Sequence, residues 1–215
     1  MRLVRYLSID TNLVVRVVPY IAHCPFVLLN DLYTWKVSKL VIGKNGARLA
    51  MILVFFNRFQ TLHMARTLSN SLEQTFTMVA FFYYLEQRDR FNKNTIILTA
   101  LITISFMMRN TSPVGWVPLL AIKVFKEGSL IPFLISGVFV ALPLIFLCIW
   151  IDTTMYGANN WVVTSYNFLQ MNIVMGLSKT FGEDPWHWYL TFMIPVNITI
   201  LTPFAFVSVL YTHLK

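Results

Sequence analysis

The sequence predicts an all-α integral membrane protein, a multi-spanning helical bundle of about seven membrane segments. Of its 215 residues, 57% are hydrophobic and 12% are charged, whereas soluble domains average about 25% charged residues. The mean hydropathy is +0.63. A soluble enzyme of this length could not cover its surface with 17 basic and 9 acidic side chains. The net charge of +8 therefore indicates cations in cytosolic loops rather than binding to nucleic acid.

Apolar runs define the individual segments, because a helix needs about 20 apolar residues to cross a bilayer core of about 30 Å. The clearest run is 130–151, and a second extends from Tyr189 to Tyr211. We place the other segments at about 12–33, 48–65, 72–86, 95–108 and 113–125. Several of these are short, so we expect some to extend into their flanks or to be re-entrant. Without an internal repeat or a low-complexity linker, residues 1–215 are expected to form a single transmembrane domain.

Lysine and arginine are unevenly divided between alternate loops. Ten of the 17 cations fall on one side when the first segment runs from lumen to cytosol, and the positive-inside rule makes that side cytosolic. The predicted cytosolic stretches are 34–47, 87–94, 126–129 and 212–215. The opposite side then holds 66–71, 109–112 and a long luminal loop at about 152–188.

Two arginines on the luminal side, Arg66 and Arg109, are candidates for binding an anionic ligand. An ionisable residue at membrane depth is costly and usually faces a cavity or a partner, and a guanidinium binds phosphate through two parallel hydrogen bonds. The alternatives are structural. Arg66 and Glu73 lie two helical turns apart and can form an ion pair, and Arg109 can extend to lipid head groups.

A run of aromatic residues near the end of the long loop is the second candidate. Trp186, His187 and Trp188 can line a ligand cleft or belong to an aromatic belt at the membrane surface. No spacing of Cys, His or carboxylates suggests a metal site. These residues predict a luminal polar cluster that can hold a phosphorylated or sugar-bearing ligand, and they do not separate a transferase from a transporter.

Five motifs in order resemble glycosyltransferase family 22, the endoplasmic reticulum mannosyltransferases that use dolichol-phosphate mannose. The resemblance extends from about Val14 to about Pro203. The motifs are Arg-Thr-Leu-Ser-Asn-Ser-Leu-Glu at 66–73, Phe-Tyr-Tyr at 82–84, Asp152-x-x-x-Tyr156-Gly157, Asn167-Phe168-Leu169 with Asn172, and Phe181-Gly182-x-x-Pro185-Trp186-His187-Trp188-Tyr189. The last motif is most similar to the branch of the family that acts on glycosylphosphatidylinositol (GPI) anchors.

The resemblance implies a helical bundle of the C-type glycosyltransferase kind in the endoplasmic reticulum membrane. The implied reaction transfers an α-1,2-linked third mannose from dolichol-phosphate mannose to the GPI precursor, by direct displacement with inversion. Its partners would be the lipid-linked donor, which is a substrate and not a cofactor, and the glycolipid acceptor. The alternatives are an N-glycan mannosyltransferase of α-1,2 or α-1,6 specificity, a non-catalytic lipid-handling or transport protein, and a non-catalytic subunit.

The resemblance also assigns roles to individual residues. Arg66 and Arg109 would lie near the donor phosphate, and Asn70 and Glu73 would orient sugar hydroxyls or hold Arg66 in place. Trp186, His187 and Trp188 would line the cleft where dolichol phosphate meets the lumen. The second luminal turn reads Arg109-Asn110-Thr111 where the family has Arg-Pro-Thr, and Asp184 stands where the family often has His.

The catalytic acid of the family lies in a first luminal loop, and no stretch of this sequence resembles that loop. We therefore assign no catalytic residue. We expect the chain to be an internal or truncated portion of a longer enzyme, and to be inactive alone.

Overall fold

The computed structural model describes residues 11–57, 69–86, 93–128, 130–182, 184–193, 195–196 and 207, and these residues are mostly helical, with no β-strand among them. The principal helices are α1 (Thr11–Phe56), α2 (Ser69–Glu86), α3 (Lys93–Met108), α4 (Pro113–Glu127), α5 (Leu130–Ser136) and α6 (Leu142–Tyr156), with a π-helical turn, Gly137–Ala141, joining the last two. Shorter pieces follow: α7 (Thr164–Leu169) with π turn Gln170–Val174, a 3₁₀ turn Leu177–Phe181, and α8 (Trp186–Trp188) with π turn Tyr189–Met193.

The predicted all-α class is confirmed for this part of the chain. Within it, one helix is long and apolar enough to cross a membrane, the 27-residue stretch Leu130–Tyr156. This helix contains the predicted segment 130–151 and continues past it. The number of seven segments remains a prediction, since 58–68 and most of the stretch from Tyr189 to Tyr211 lie outside the described residues.

Helix α1 is two helices that meet at Gly43, whose backbone is non-helical with φ 74° and ψ −179°. Asp31 lines one cavity together with Met51 and Phe56, although about 30 Å would separate positions 31 and 51 in a straight helix. The chain therefore folds back at Gly43. The predicted change of direction between the first two segments is confirmed, but the predicted loop 34–47 is wrong, because these residues are helical on both sides of Gly43.

The described interior is more polar than the described exterior. Buried polar side chains outnumber buried hydrophobic ones among these residues, and they are mostly small: Asn30, Ser71, Thr75, Thr95, Thr103, Ser105, Ser112, Ser136 and Ser165. Large apolar side chains point outward, as Phe139 does with 75% of its surface exposed in the Leu130–Tyr156 helix. This distribution suits a bilayer, where small residues allow helices to approach and hydroxyl groups bond between them.

Helix α2 lies between α1 and the α3–α4 pair. Aromatic rings of α1 contact rings of α2 in the same order along both helices, Phe26 with Phe76 and Tyr33 with Phe82. The first arm of α1 and α2 therefore run in the same direction. Glu73 near the start of α2 contacts Arg109, which follows α3, so α3 runs in the opposite direction to α2.

One end of this bundle is organised by a buried lysine. Lys123 of α4 is only 3% exposed, and its Nζ donates a hydrogen bond of 3.1 Å to the carbonyl oxygen of Tyr84, in the last turn of α2. The same ammonium lies 4.7 Å from the centre of the Tyr84 ring, whose hydroxyl donates to the Leu119 carbonyl at 3.0 Å. A cation at a helix C-terminus satisfies a free carbonyl and complements the helix dipole.

The Leu130–Tyr156 helix returns from the lysine end to the opposite end. Gly128, in a left-handed conformation, closes α4, and only one more residue precedes Leu130. The 27 residues then span about 40 Å, and Ser136 hydrogen-bonds Thr99 of α3 at 2.9 Å on the way. Tyr156 therefore lies at the end of the bundle that holds Glu73 and Arg109, in keeping with the predicted alternation of sides.

Replacing Lys123 is expected to destabilise the protein. Lys123→Met keeps most of the side-chain volume but removes the donor to Tyr84, and a lost bond to a buried carbonyl costs about 1–3 kcal/mol. The control is Lys126→Met, because Lys126 is exposed in the last turn of the same helix. Unfolding of the detergent-solubilised variants by sodium dodecyl sulfate measures both. Equal stability of the two variants would contradict this account.

The two ends of the bundle are expected to face opposite sides of the membrane. Single cysteines are introduced at Asn45, beside the Gly43 turn, and at Asp184, both exposed, after Cys24 and Cys148 are replaced. A membrane-impermeant maleimide added to sealed microsomes should label Asn45→Cys directly. It should label Asp184→Cys only after the vesicles are opened. The reverse order of labelling would show that the predicted orientation is wrong.

Candidate functional site

Two of the predicted site residues form an ion pair. Arg109 Nη1 lies 3.3 Å from Glu73 Oε2, with 42% of the arginine side chain and 19% of the glutamate side chain exposed. Glu73 lies one turn inside α2, and Arg109 begins the turn between α3 and α4. The sequence predicted Glu73 as a partner for Arg66; the structure pairs it with Arg109, and Arg66 lies outside the described residues.

Helical spacing brings this pair together. Glu73, Ala80 and Tyr84 recur at intervals of seven and four residues, and this stripe of α2 faces α3 and α4: Ala80 packs with Leu98 and Trp116. On α3 the facing stripe carries Leu98 and, eleven residues later, the position of Arg109. Residues at these intervals share one face of a helix. The apolar middle of the interface thus fixes the two charged residues at its end.

The turn that carries Arg109 is held by its own backbone. The Arg109 amide donates to the Ser105 carbonyl at 2.9 Å, and the Ser112 amide donates to the Arg109 carbonyl at 3.0 Å. Pro113 then begins α4, where the missing amide hydrogen is not needed. The predicted turn at 109–112 is confirmed, and it closes although Asn110 stands where the family has proline.

Several buried polar atoms around this turn lack a hydrogen-bond partner. They are Ser105 Oγ, Asn110 Oδ1 and Ser112 Oγ, together with Thr77 Oγ1 one turn below Glu73 on the same stripe. Other buried hydroxyl groups bond to the carbonyl four residues back, as Thr103 does to Thr99 at 2.7 Å. An unsatisfied buried polar group costs about 1–3 kcal/mol. Because these atoms are closed off from solvent, a polar ligand would recover that free energy only by opening the turn.

The site therefore combines a partly exposed guanidinium, a carboxylate that holds it, and hydroxyl groups with free bonding capacity. Ser112 also lies at the N-terminus of α4, where the helix dipole favours negative charge, and it is 6% exposed. Such a set can bind a phosphate or sugar hydroxyls. Thr77, Ser105 and Ser112 were not predicted as site residues. The spacing of four residues from Glu73 to Thr77 and from Ser105 to Arg109 places the first two on the same helix stripes as the ion pair.

Asn70 lies at the same end of the bundle, in the first turn of α2, and its side chain is exposed. Its position three residues before Glu73 puts the two on neighbouring turns of one helix. The predicted role of Asn70 in orienting sugar hydroxyls remains a prediction.

The aromatic run forms a separate, local cluster. Trp186 is 76% exposed, its ring centre lies 5.9 Å from that of His187, and Trp188 contacts Tyr189 and Phe192 at 5.5 Å and 5.4 Å. All of these ring contacts are between sequence neighbours. They do not bring the run to the Glu73–Arg109 pair, so the predicted cleft lining stays a prediction.

The predicted long loop is more structured than expected. Its start at 152 is wrong, because α6 continues to Tyr156, and helical pieces occupy much of 164–188. The helix ends at Gly157, which is left-handed with φ 61°, and Asp152 Oδ2 accepts a bond of 2.6 Å from Thr164 Oγ1 in the chain that follows. Among the described residues, no group of three or more His, Cys, Asp or Glu side chains is placed to hold a metal ion.

Comparison with known proteins gives a consistent result. The profile of the Alg9-like mannosyltransferase family matches residues 1–215. The chain is 26% identical over 188 residues to the GPI alpha-1,2-mannosyltransferase 3 of Bos taurus, covering 87% of this chain and 34% of that protein. It is 29% identical over 217 residues to Mannosyltransferase APTG1 of Arabidopsis thaliana, covering 97% and 38%. It is also 32% identical over 165 residues to the GPI mannosyltransferase 3 of Drosophila melanogaster, covering 76% and 28%.

The chain thus spans about a third of the length of the curated relatives that it matches. No solved structure matches it. These findings confirm the resemblance to glycosyltransferase family 22 that the motifs indicated.

A double-mutant cycle tests the partner of Glu73. Glu73→Gln, Arg109→Gln and the combined variant should show a coupling free energy of about 0.2–1 kcal/mol, the range for partly exposed ion pairs. Unfolding in mixed micelles provides the free energies. The matched cycle uses Arg66→Gln in place of Arg109→Gln. Coupling confined to the Arg66 cycle would show that Arg109 is not the partner.

Proposed function

We propose that this chain, which belongs to the Alg9-like mannosyltransferase family, carries the donor-phosphate site of a GPI-anchor mannosyltransferase. The proposed enzyme transfers mannose from dolichol-phosphate mannose to the GPI precursor in the lumen of the endoplasmic reticulum, and the mannose is the third of the anchor, in α-1,2 linkage. Two relatives that carry GPI alpha-1,2-mannosyltransferase 3 or GPI mannosyltransferase 3 as their names support this choice. The Glu73–Arg109 pair among unsatisfied hydroxyl groups is the observation that carries it.

The phosphate of dolichol-phosphate mannose is expected at the same height in the membrane as the Glu73–Arg109 pair. Dolichol is a membrane lipid, so its phosphate lies near the bilayer surface. Glu73 and Arg109 lie at an end of the bundle rather than at its middle. The Leu130–Tyr156 helix passes this end of the bundle, since Ser136 lies level with Thr99 of α3 and the helix continues for twenty residues beyond Ser136. A phosphate there can reach the guanidinium without leaving the membrane surface.

Charge develops on that phosphate during the reaction. The acceptor hydroxyl oxygen forms a bond to C1 of mannose while the bond from C1 to the phosphate oxygen breaks, with inversion at C1. The departing dolichyl phosphate takes the electron pair and gains one negative charge, and the hydroxyl proton passes to a base that we do not assign to this chain. Donors aimed at a charge that grows in the transition state lower the barrier more than they strengthen ground-state binding.

Each residue of the pair then has its own part. Glu73 accepts one hydrogen bond from Arg109 Nη1 and fixes the orientation of the guanidinium. The other N–H groups of the Arg109 guanidinium donate to two phosphate oxygens. Lysine cannot reproduce this planar, two-bond geometry. The buried Ser112 Oγ, which has no partner in this structure, would donate a further bond when the turn opens to the phosphate, and the N-terminus of α4 adds positive potential. Glu73 acts through Arg109 and is a positioning residue.

Arg109 substitutions are expected to slow mannose transfer. The assay uses a chimaera in which this chain replaces the matched third of GPI alpha-1,2-mannosyltransferase 3, with radiolabelled dolichol-phosphate mannose and GPI precursor. Arg109→Lys should be impaired and Arg109→Ala more so, by about 2–4 kcal/mol of transition-state stabilisation. Lys126→Ala, at the opposite end of the bundle, should leave turnover unchanged. Arg66→Lys and Arg66→Ala extend the same series to the other predicted phosphate ligand.

Turnover must be expressed per folded molecule, because loss of an ion pair also lowers abundance. Normal turnover per folded Arg109→Ala molecule would remove Arg109 from the site. Transfer to a dolichol-linked oligosaccharide but not to the GPI precursor would favour the N-glycan alternative.

A further inference from the structure

The chain that leaves the Leu130–Tyr156 helix turns back at once. Gly157, with φ 61°, ends α6, and the amide of Val162 then donates a bond of 2.9 Å to Thr153 Oγ1. Thr164 Oγ1 donates to Asp152 Oδ2 at 2.6 Å. Residues 162–164 are therefore fixed beside the last turn of the helix that they have just left, and α7 begins at that level.

The returning chain also packs on the outer face of this helix. The Trp161 ring lies 5.6 Å from the ring of Phe146, and Phe146 precedes Tyr156 by ten residues, or about 15 Å along a helix. Phe146 is itself 61% exposed on the apolar surface of α6. The Trp161 ring thus lies beside the apolar outer face of α6. It lies nearer the middle of this helix than its end at Tyr156.

The residues that follow expose large apolar side chains and carry no charge. Val174 is 79% exposed, Ile173 71%, Tyr166 62% and Met175 62%. No Asp, Glu, Lys or Arg occurs from Thr153 to Ser178, and Lys179 is the first cation after the helix. A loop in water would leave all of this apolar area hydrated, which is unfavourable because removing apolar surface from water lowers the free energy.

We propose that residues 157–175 lie in the bilayer interface, on the side of the membrane that holds Glu73 and Arg109, and that their occupant is lipid. Three observations support lipid rather than a protein partner: the continuity with the lipid-facing surface of α6, the depth set by Trp161, and the absence of charge up to Lys179. The backbone of 164–174 is helical, so most of its polar groups are paired within the segment, and the groups at its ends can bond to water and head groups in the interface. Tryptophan and tyrosine are the residues most enriched at this depth.

Residues 157–175, predicted as part of a luminal loop, would then lie flat in the bilayer interface beside the end of the bundle. This inference depends on the Leu130–Tyr156 helix crossing the membrane. It does not depend on the proposed mannosyl transfer.

Spin labels measure the depth of the segment. The chain, with Cys24→Ser and Cys148→Ala, is reconstituted in phosphatidylcholine vesicles and carries one label at Val174→Cys. Phe139→Cys, 75% exposed in the middle of the spanning helix, is the lipid control. Asn45→Cys, beside the Gly43 turn, is the aqueous control. Collision rates with oxygen, which partitions into lipid, and with a water-soluble nickel chelate are compared at each site.

The proposal expects the ratio of oxygen to nickel collisions at Val174→Cys to lie between the ratios at the two controls, several-fold above that at Asn45→Cys and below that at Phe139→Cys. Nickel accessibility equal to that at Asn45→Cys would show an aqueous loop and overturn the proposal. Low accessibility to both reagents would show that protein covers the segment, and would overturn it equally. Ile173→Cys, at a second exposed position, repeats the measurement if Val174→Cys reduces the folded yield.

Discussion

The structure depends on keeping polar side chains between helices while apolar side chains cover the outside. In an apolar solvent the hydrophobic effect does not drive helices together, so small side chains, close packing and hydrogen bonds between helices must do so. Ser136 with Thr99, and Lys123 with the carbonyl of Tyr84, are such bonds. They fix the order and direction of the helices, and that order decides which side chains meet at each end.

The Glu73–Arg109 end departs from this rule in a useful way. At the opposite end, the buried ammonium of Lys123 donates a hydrogen bond to the Tyr84 carbonyl in the last turn of α2. At this end, the buried hydroxyl groups of Ser105 and Ser112 have no hydrogen-bond partner. An arrangement that pays for unsatisfied groups in the free protein can recover that free energy when a polar ligand binds. The proposed donor phosphate is such a ligand, and an interfacial segment beside α6 would keep its lipid chain close.

Sequence alone was sufficient where a single strong signal acted. A long uncharged run located the 130–151 helix, and the polar stretch 109–112 between two apolar segments located the turn. The prediction failed where helix propensity competed with charge. Residues 34–47 were predicted as a loop because of their lysines. They contain no proline to end a helix, and only Gly43 interrupts the helical backbone there. The partner of Glu73 could not be read from spacing, because Arg66 is close in sequence whereas Arg109 is brought near by the packing of α3 on α2.

Binding of a short-chain polyprenyl phosphate mannose to the chain itself tests the central claim most directly, since it asks for phosphate recognition without requiring turnover. Isothermal titration in detergent micelles should give saturable binding that weakens with Arg109→Lys, weakens further with Arg109→Ala, and is unchanged with Lys126→Ala. Glu73→Gln should weaken it less than Arg109→Ala, because it removes the support and not the ligand. Binding of equal strength to the native chain and to Arg109→Ala would contradict the account.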